Sequence, residues 1–73
     1  MKGTFTAVFE KIDGWYMGYV EEVPGANTQG RTLEETRANL REALQMILEA
    51  NRELAEQEVT GRDVIREELH LAI

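Results

Sequence analysis

His70 is the single imidazole of a 73-residue chain that contains neither cysteine nor serine. Nucleophilic catalysis of the triad kind joins a hydroxyl or thiol to a base that a third group orients, so this composition removes most of its parts. One histidine without cysteines also builds no disulfide and no zinc knuckle. His70 falls in an alternating segment and is read as an exposed, functionally neutral side chain. A two-metal nuclease centre needs several carboxylates converging on one sheet. Here the first strand offers Thr6, Val8 and Glu10, while Asp13 belongs to a turn and Asp63 to a loop, so the acids stay apart. The glycines of "GANTQGR", Gly25 to Arg31, lack the lysine of a phosphate loop, and Glu34 and Glu35 repel an anion from the helix start that follows. The residues point to no catalytic group, no metal and no cofactor, and therefore to a binding role.

Size and charge narrow that role. A chain this short holds one domain, residues 1–73, near the lower limit for burying a core. With 42% hydrophobic and 30% charged residues it has enough apolar surface to fold. Small scaffolds recruit disulfides, metals or oligomerisation, and the first two are excluded, which leaves self-association. A net charge of −6 argues against direct nucleic-acid binding, which needs a clustered basic surface, and favours a basic partner. No apolar run reaches the roughly 18 residues of a membrane span, and the opening "MKGTFTAVFE" has no signal-peptide core. A cytoplasmic protein away from membranes is expected.

The elements that position these residues are legible from pattern. "TFTAVFEKI" and "WYMGYV" are β-rich and separated by Asp13-Gly14, the favoured pair for a type I′ hairpin turn. A two-residue loop sets Ile12 against Trp15, Lys11 against Tyr16, Phe9 against Gly18, Ala7 against Val20 and Phe5 against Glu22. That places Phe5, Ala7, Phe9 and Val20 on a core face, where Gly18 leaves room for a helix. Pro24-Gly25 turns the chain into a short edge strand in "ANTQ", and Gly30 is expected to supply a backbone conformation closed to other residues. Thr32 and Glu35 form a capping-box pattern in which the carboxylate returns to the Thr32 N–H. Leu33, Leu40, Leu44, Ile47, Leu48 and Leu54 then mark one stripe through about seven helical turns, expected to pack on the sheet. Glu34, Arg37, Arg41 and the other charges lie on the opposite, solvated face. After Gly61, Leu69, Leu71 and Ile73 alternate with Glu68, His70 and Ala72 as in a half-buried strand. The expected fold is α+β: β-β-β-α-β, a mixed four-stranded sheet in order 3-2-1-4 with one long helix on one face, the last strand returning beside the first.

The second sheet face carries Val8, Ile12, Trp15, Met17 and Tyr19, an apolar patch large enough to mark an interface. A second copy and a foreign partner are both fitting occupants. The edge strand at Thr28 is a further docking candidate, because an unpaired strand edge can add a partner's strand.

Four pieces, in order, carry a family resemblance: Gly14 to Tyr16 in the hairpin, "VPG" at Val23 to Gly25, "TQG" at Thr28 to Gly30, and "TLEE" at Thr32 to Glu35 with the Ala/Leu pattern behind it. Together they resemble the N-terminal domain of the HicB family, antitoxin-like members of bacterial and archaeal type II toxin-antitoxin systems. The resemblance implies a partial ribonuclease H-like fold without catalytic acids. It also implies a protein that binds and neutralises, by occlusion, a small basic HicA-type toxin that cleaves mRNA. Many such proteins carry an added DNA-binding segment, for which no room is expected after the fourth strand. The alternative is a solitary homo-oligomeric binding or scaffold protein of the same fold with no toxin partner.

Overall fold

The computed structural model describes residues 4–70. Its first two strands, β1 (Ala7–Ile12) and β2 (Trp15–Val20), form an antiparallel hairpin. Asp13 and Gly14 take φ of 48° and 82°, the left-handed pair that matches a tight turn to the twist of its strands. The turn locks the register read from the sequence, from Ile12 opposite Trp15 to Ala7 opposite Val20. β3 (Asn27–Gly30) pairs antiparallel with β2, with Gly18 opposite Thr28 and Tyr16 opposite Gly30. The sheet order is β1-β2-β3, so β1 is an edge strand and β2 the centre.

The helix α1 spans Leu33–Glu58 behind the N-cap Thr32. The Thr32 Oγ1 accepts from the Glu35 N–H at 3.0 Å, which satisfies one of the donors that every helix start leaves open. The return arm of the expected capping box lands one residue earlier, because the Glu35 carboxylate accepts from the Arg31 N–H at 3.1 Å. That bond clamps the β3–α1 connection as well as the helix. Removing the cap in Thr32→Ala should destabilise the fold by about 1 kcal/mol. In a thermal melt followed by circular dichroism, this corresponds to a fall in Tm of about 4–8 °C for a domain of this size.

One small residue of the helix sits directly over the glycines of the sheet. Thr36 is fully buried, and its hydroxyl donates to the Thr32 carbonyl at 2.7 Å, so no polar atom is stranded. Gly18 and Gly30 lie beneath it; a Cβ on Gly30 would come within 2.6 Å of the Thr36 Oγ1 and 3.0 Å of its backbone N. Gly30 is not among the glycines with positive φ. The expectation of a special backbone conformation there is corrected: glycine is needed for close approach. Val20, Val23, Ala26 and Leu40 form the buried core, with Phe5, Phe9, Leu44, Ile47 and Leu48 packed around it.

Two expectations about the second half of the chain are overturned. The apolar stripe does not pack along its whole length, since residues 51–58 are exposed and Leu54 is 58% accessible. A 26-residue helix is about 39 Å long, whereas six-residue strands reach about 20 Å; α1 therefore outruns the sheet. The four-stranded mixed sheet in order 3-2-1-4 is likewise corrected to a three-stranded antiparallel sheet with one helix, β-β-β-α. Past Gly61 the described segment forms no helix or strand, with Ile65 88% and Leu69 95% accessible. Its Arg66 lies 3.6 Å from Glu56, in the part of α1 that overhangs the sheet. Leu71 and Ile73, also assigned to the expected strand, lie outside the described residues.

Candidate functional site

Strand alternation sorts the expected interface residues onto surfaces. The pairings align Val8, Tyr19 and Asn27 in one row, Glu10, Met17 and Gln29 in the next, and Ile12 with Trp15 at the hairpin end. All lie on the face opposite α1. Ile12, Trp15, Met17 and Tyr19 are 38–48% accessible, and Val8 is half-buried among them. The result is a row of large apolar and aromatic side chains on the open side of the sheet, bordered by Glu10, Asn27 and Gln29.

Arg31, just past β3, places its guanidinium carbon 4.3 Å from the centroid of the Trp15 ring. Cation–π contact at that range favours one ring orientation by about 0.5–1 kcal/mol at an exposed site. It holds the indole as part of a platform with a broad flat side. Such a surface offers apolar area at low entropic cost, which is why Trp, Tyr and Met recur as interface anchors.

Thr28 is not part of this platform. It pairs with Gly18 on the helix side and is half-buried. The neighbouring Gln29 carbonyl already accepts from the Asn39 side-chain amide at 3.2 Å, so the helix covers part of that edge.

The opposite edge is open. Phe5, Ala7 and Phe9 on the β1 side face Leu40 and Leu44 of α1 across a groove bordered by Arg37 and Arg41. Sequence reading placed both arginines on the solvated helix face. The signal it passed over is that their i and i+4 spacing brackets Leu40, which puts them beside the stripe.

One charged contact anchors that edge. The Glu22 carboxylate accepts from the Thr6 N–H and from the Thr6 hydroxyl, each at 2.7 Å. The backbone bond first and the hydroxyl second hold the Glu22 carboxyl below the usual carboxylate range. Because folding lowers this pKa, the clamp contributes in full above the unfolded value and is lost as pH falls through the lower folded one. The Glu22 carboxyl should therefore titrate below the usual carboxylate range in a carbon-detected NMR titration, and Thr6→Val should raise it only in part, since the backbone donor stays.

The residues that could carry other chemistry are dispersed. Glu10 lies on the outer face, Asp13 in the hairpin turn and Asp63 beyond the helix. His70 is exposed and lies 3.4 Å from Glu68. Among the described residues no three His, Cys, Asp or Glu side chains are grouped to hold a metal ion, and no helix is long and apolar enough to cross a membrane.

Comparison with known proteins agrees with this architecture in extent. The UPF0150-like family pattern matches residues 5–56, from the start of the β1 region into the helix overhang. A UPF0150 protein of Synechocystis is 46% identical over 50 residues, covering 67% of this chain and 69% of the relative. One from Thermotoga maritima is 42% identical over 67 residues, covering 88% and 89%. Another, from Archaeoglobus fulgidus, is 34% identical over 62 residues, covering 84% and 90%. No solved structure matches the chain significantly. With the hairpin, the third strand, the cap and the packed half of the helix all inside the matched region, the chain belongs to the UPF0150-like family.

Proposed function

We propose that this protein is a HicB-like antitoxin of a type II toxin-antitoxin system, which binds a small basic HicA-type mRNA-cleaving toxin and masks its surface. It acts by occlusion and catalyses nothing itself. The observation that carries the reading is the exposed row of Ile12, Trp15, Met17 and Tyr19 on the uncovered sheet face, in a chain of net charge −6. Apolar anchors supply the affinity of such a contact, and opposite net charges steer the encounter and raise its rate. The ordered motifs from Gly14 to Glu35 that resemble HicB support the identity of the partner class.

The test is neutralisation. A HicA-type protein encoded beside this chain should arrest growth when expressed alone and lose that effect when this chain is co-expressed, with mRNA cleavage suppressed in parallel. Unrelieved arrest, with both proteins present at equal levels, contradicts the proposal. The second reading is a solitary homo-oligomeric binding protein, and the exposed apolar segments outside the platform favour it. It is the one left standing if the chain self-associates but binds no such toxin.

A further inference from the structure

The β1 edge and the segment beyond α1 have complementary chemistry. The Glu21 N–H donates to the Thr6 carbonyl at 3.0 Å. By antiparallel alternation the backbone groups of Ala7, Phe9 and Lys11 then point outward from the sheet. Among the described residues no strand pairs with that side. Unpaired donors and acceptors beside an apolar groove are a template for an added strand.

The groove is also selective. In a chain with six more acidic than basic groups, its border is formed by two cations, Arg37 and Arg41. Neither has a carboxylate within ion-pair distance among the described residues. The guanidinium of Arg37 lies 6.0 Å from the Phe9 ring centroid, over the groove wall. A fitting strand therefore presents apolar, acidic and apolar side chains on one face.

Residues 64–70 have that pattern. In extended geometry Ile65, Glu67 and Leu69 share one face and Val64, Arg66, Glu68 and His70 the other. Ile65 and Leu69 are among the most exposed large apolar side chains of the protein. Within one chain the segment would have to run back along α1 from Glu58 to Leu44, about 21 Å. At roughly 3.3 Å per extended residue this consumes residues 62–67, so Ile65 and Glu67 fall short of the groove. A second copy meets no such tether, because the helix overhang carries the segment clear of its own sheet.

We propose that residues 64–70 of one copy add as a strand to the open β1 edge of a second copy, with Ile65 and Leu69 in the groove and Glu67 between Arg37 and Arg41. Reciprocal exchange about a two-fold axis gives a closed homodimer. It leaves the Trp15 platform uncovered, so self-association and partner binding use different surfaces.

The chain has no cysteine, which makes crosslinking specific. Full-length Ala7→Cys and Glu67→Cys variants, mixed and oxidised, should give a two-chain disulfide product. In sedimentation, Arg41→Glu and Glu67→Arg should each weaken the dimer about tenfold or more, and both changes in the same chain should restore it. Unchanged helical circular dichroism in each variant separates this from unfolding. A native protein that is monomeric at every concentration overturns the proposal. So does a disulfide formed only within a chain carrying both cysteines, or failure of the charge swap to restore association.

Discussion

Gly30→Ala should destabilise the protein by about 1–3 kcal/mol, the range for forcing an added methyl into a packed interior, and lower Tm by roughly 10 °C. The added Cβ would sit 2.6 Å from the Thr36 Oγ1, 3.0 Å from its N and 3.3 Å from its Cα. Two of these atoms are backbone of the first helical turn, so no rotamer change removes the clash. Thr36 cannot swing aside either, because its hydroxyl is bonded to the Thr32 carbonyl and the side chain is fully buried. The helix start must lift from β3, loosening the cap at Thr32. On a total stability of about 4–11 kcal/mol for a chain this small, that is a large fraction. Gly18→Ala should be milder. Its Cβ would meet the Phe9 ring at 3.0 Å and the Thr36 Cγ2 at 3.1 Å, and the half-buried Phe9 can rotate toward the open groove. A double-mutant cycle of Gly30→Ala with Thr36→Ala should show partial rescue, limited by the backbone contacts that remain.

The second large effect concerns binding, with stability nearly unchanged. If the proposed toxin docks on this face, Trp15→Ala combined with Met17→Glu should weaken its binding by about 100-fold or more, since aromatic anchors carry 2 kcal/mol or more each in well-packed interfaces and the new carboxylate must be desolvated. Both side chains are more than one-third accessible in the free protein. The fold loses only the Arg31–Trp15 contact and some partial burial, about 1 kcal/mol in all. Circular dichroism should show a native helix, and the homodimer should persist. A variant that bound toxin normally, or that fell apart into monomers, would assign the platform a different role.

How far these features were legible in the sequence depends on whether a local rule fixed them. Asp13-Gly14 fixes a two-residue turn, and a two-residue turn fixes every pair from Ile12–Trp15 to Ala7–Val20, so both sheet faces followed from one dipeptide. Thr32 with Glu35 fixed the helix start in the same way, although the carboxylate bonded one residue earlier than the rule implies. Gly30 was recognised as constrained for the wrong reason, because a sequence does not reveal which residue of the helix will press on it. Leu54 continues a perfect apolar stripe yet lies beyond the sheet. Periodicity reports that a face is apolar and is silent on what covers it. The same gap explains the tail: the alternation of Leu69, Leu71 and Ile73 predicts a half-buried strand, yet up to residue 70 the segment pairs with no strand among the described residues. Arg37 and Arg41 are exposed, as their charge predicts, and only the packing of Leu40 against the sheet shows that they also border the apolar groove.

The most direct test of the account uses its own reporter. Trp15 is the only tryptophan of the chain and stands at the hairpin end of the proposed toxin-binding platform. Titrating the protein with a catalytically inactivated, tryptophan-free HicA-type partner should shift the Trp15 emission to the blue and shield it from iodide quenching, saturating at a fixed stoichiometry. Saturable binding that leaves the Trp15 emission and quenching unchanged, or no binding at all, would contradict it.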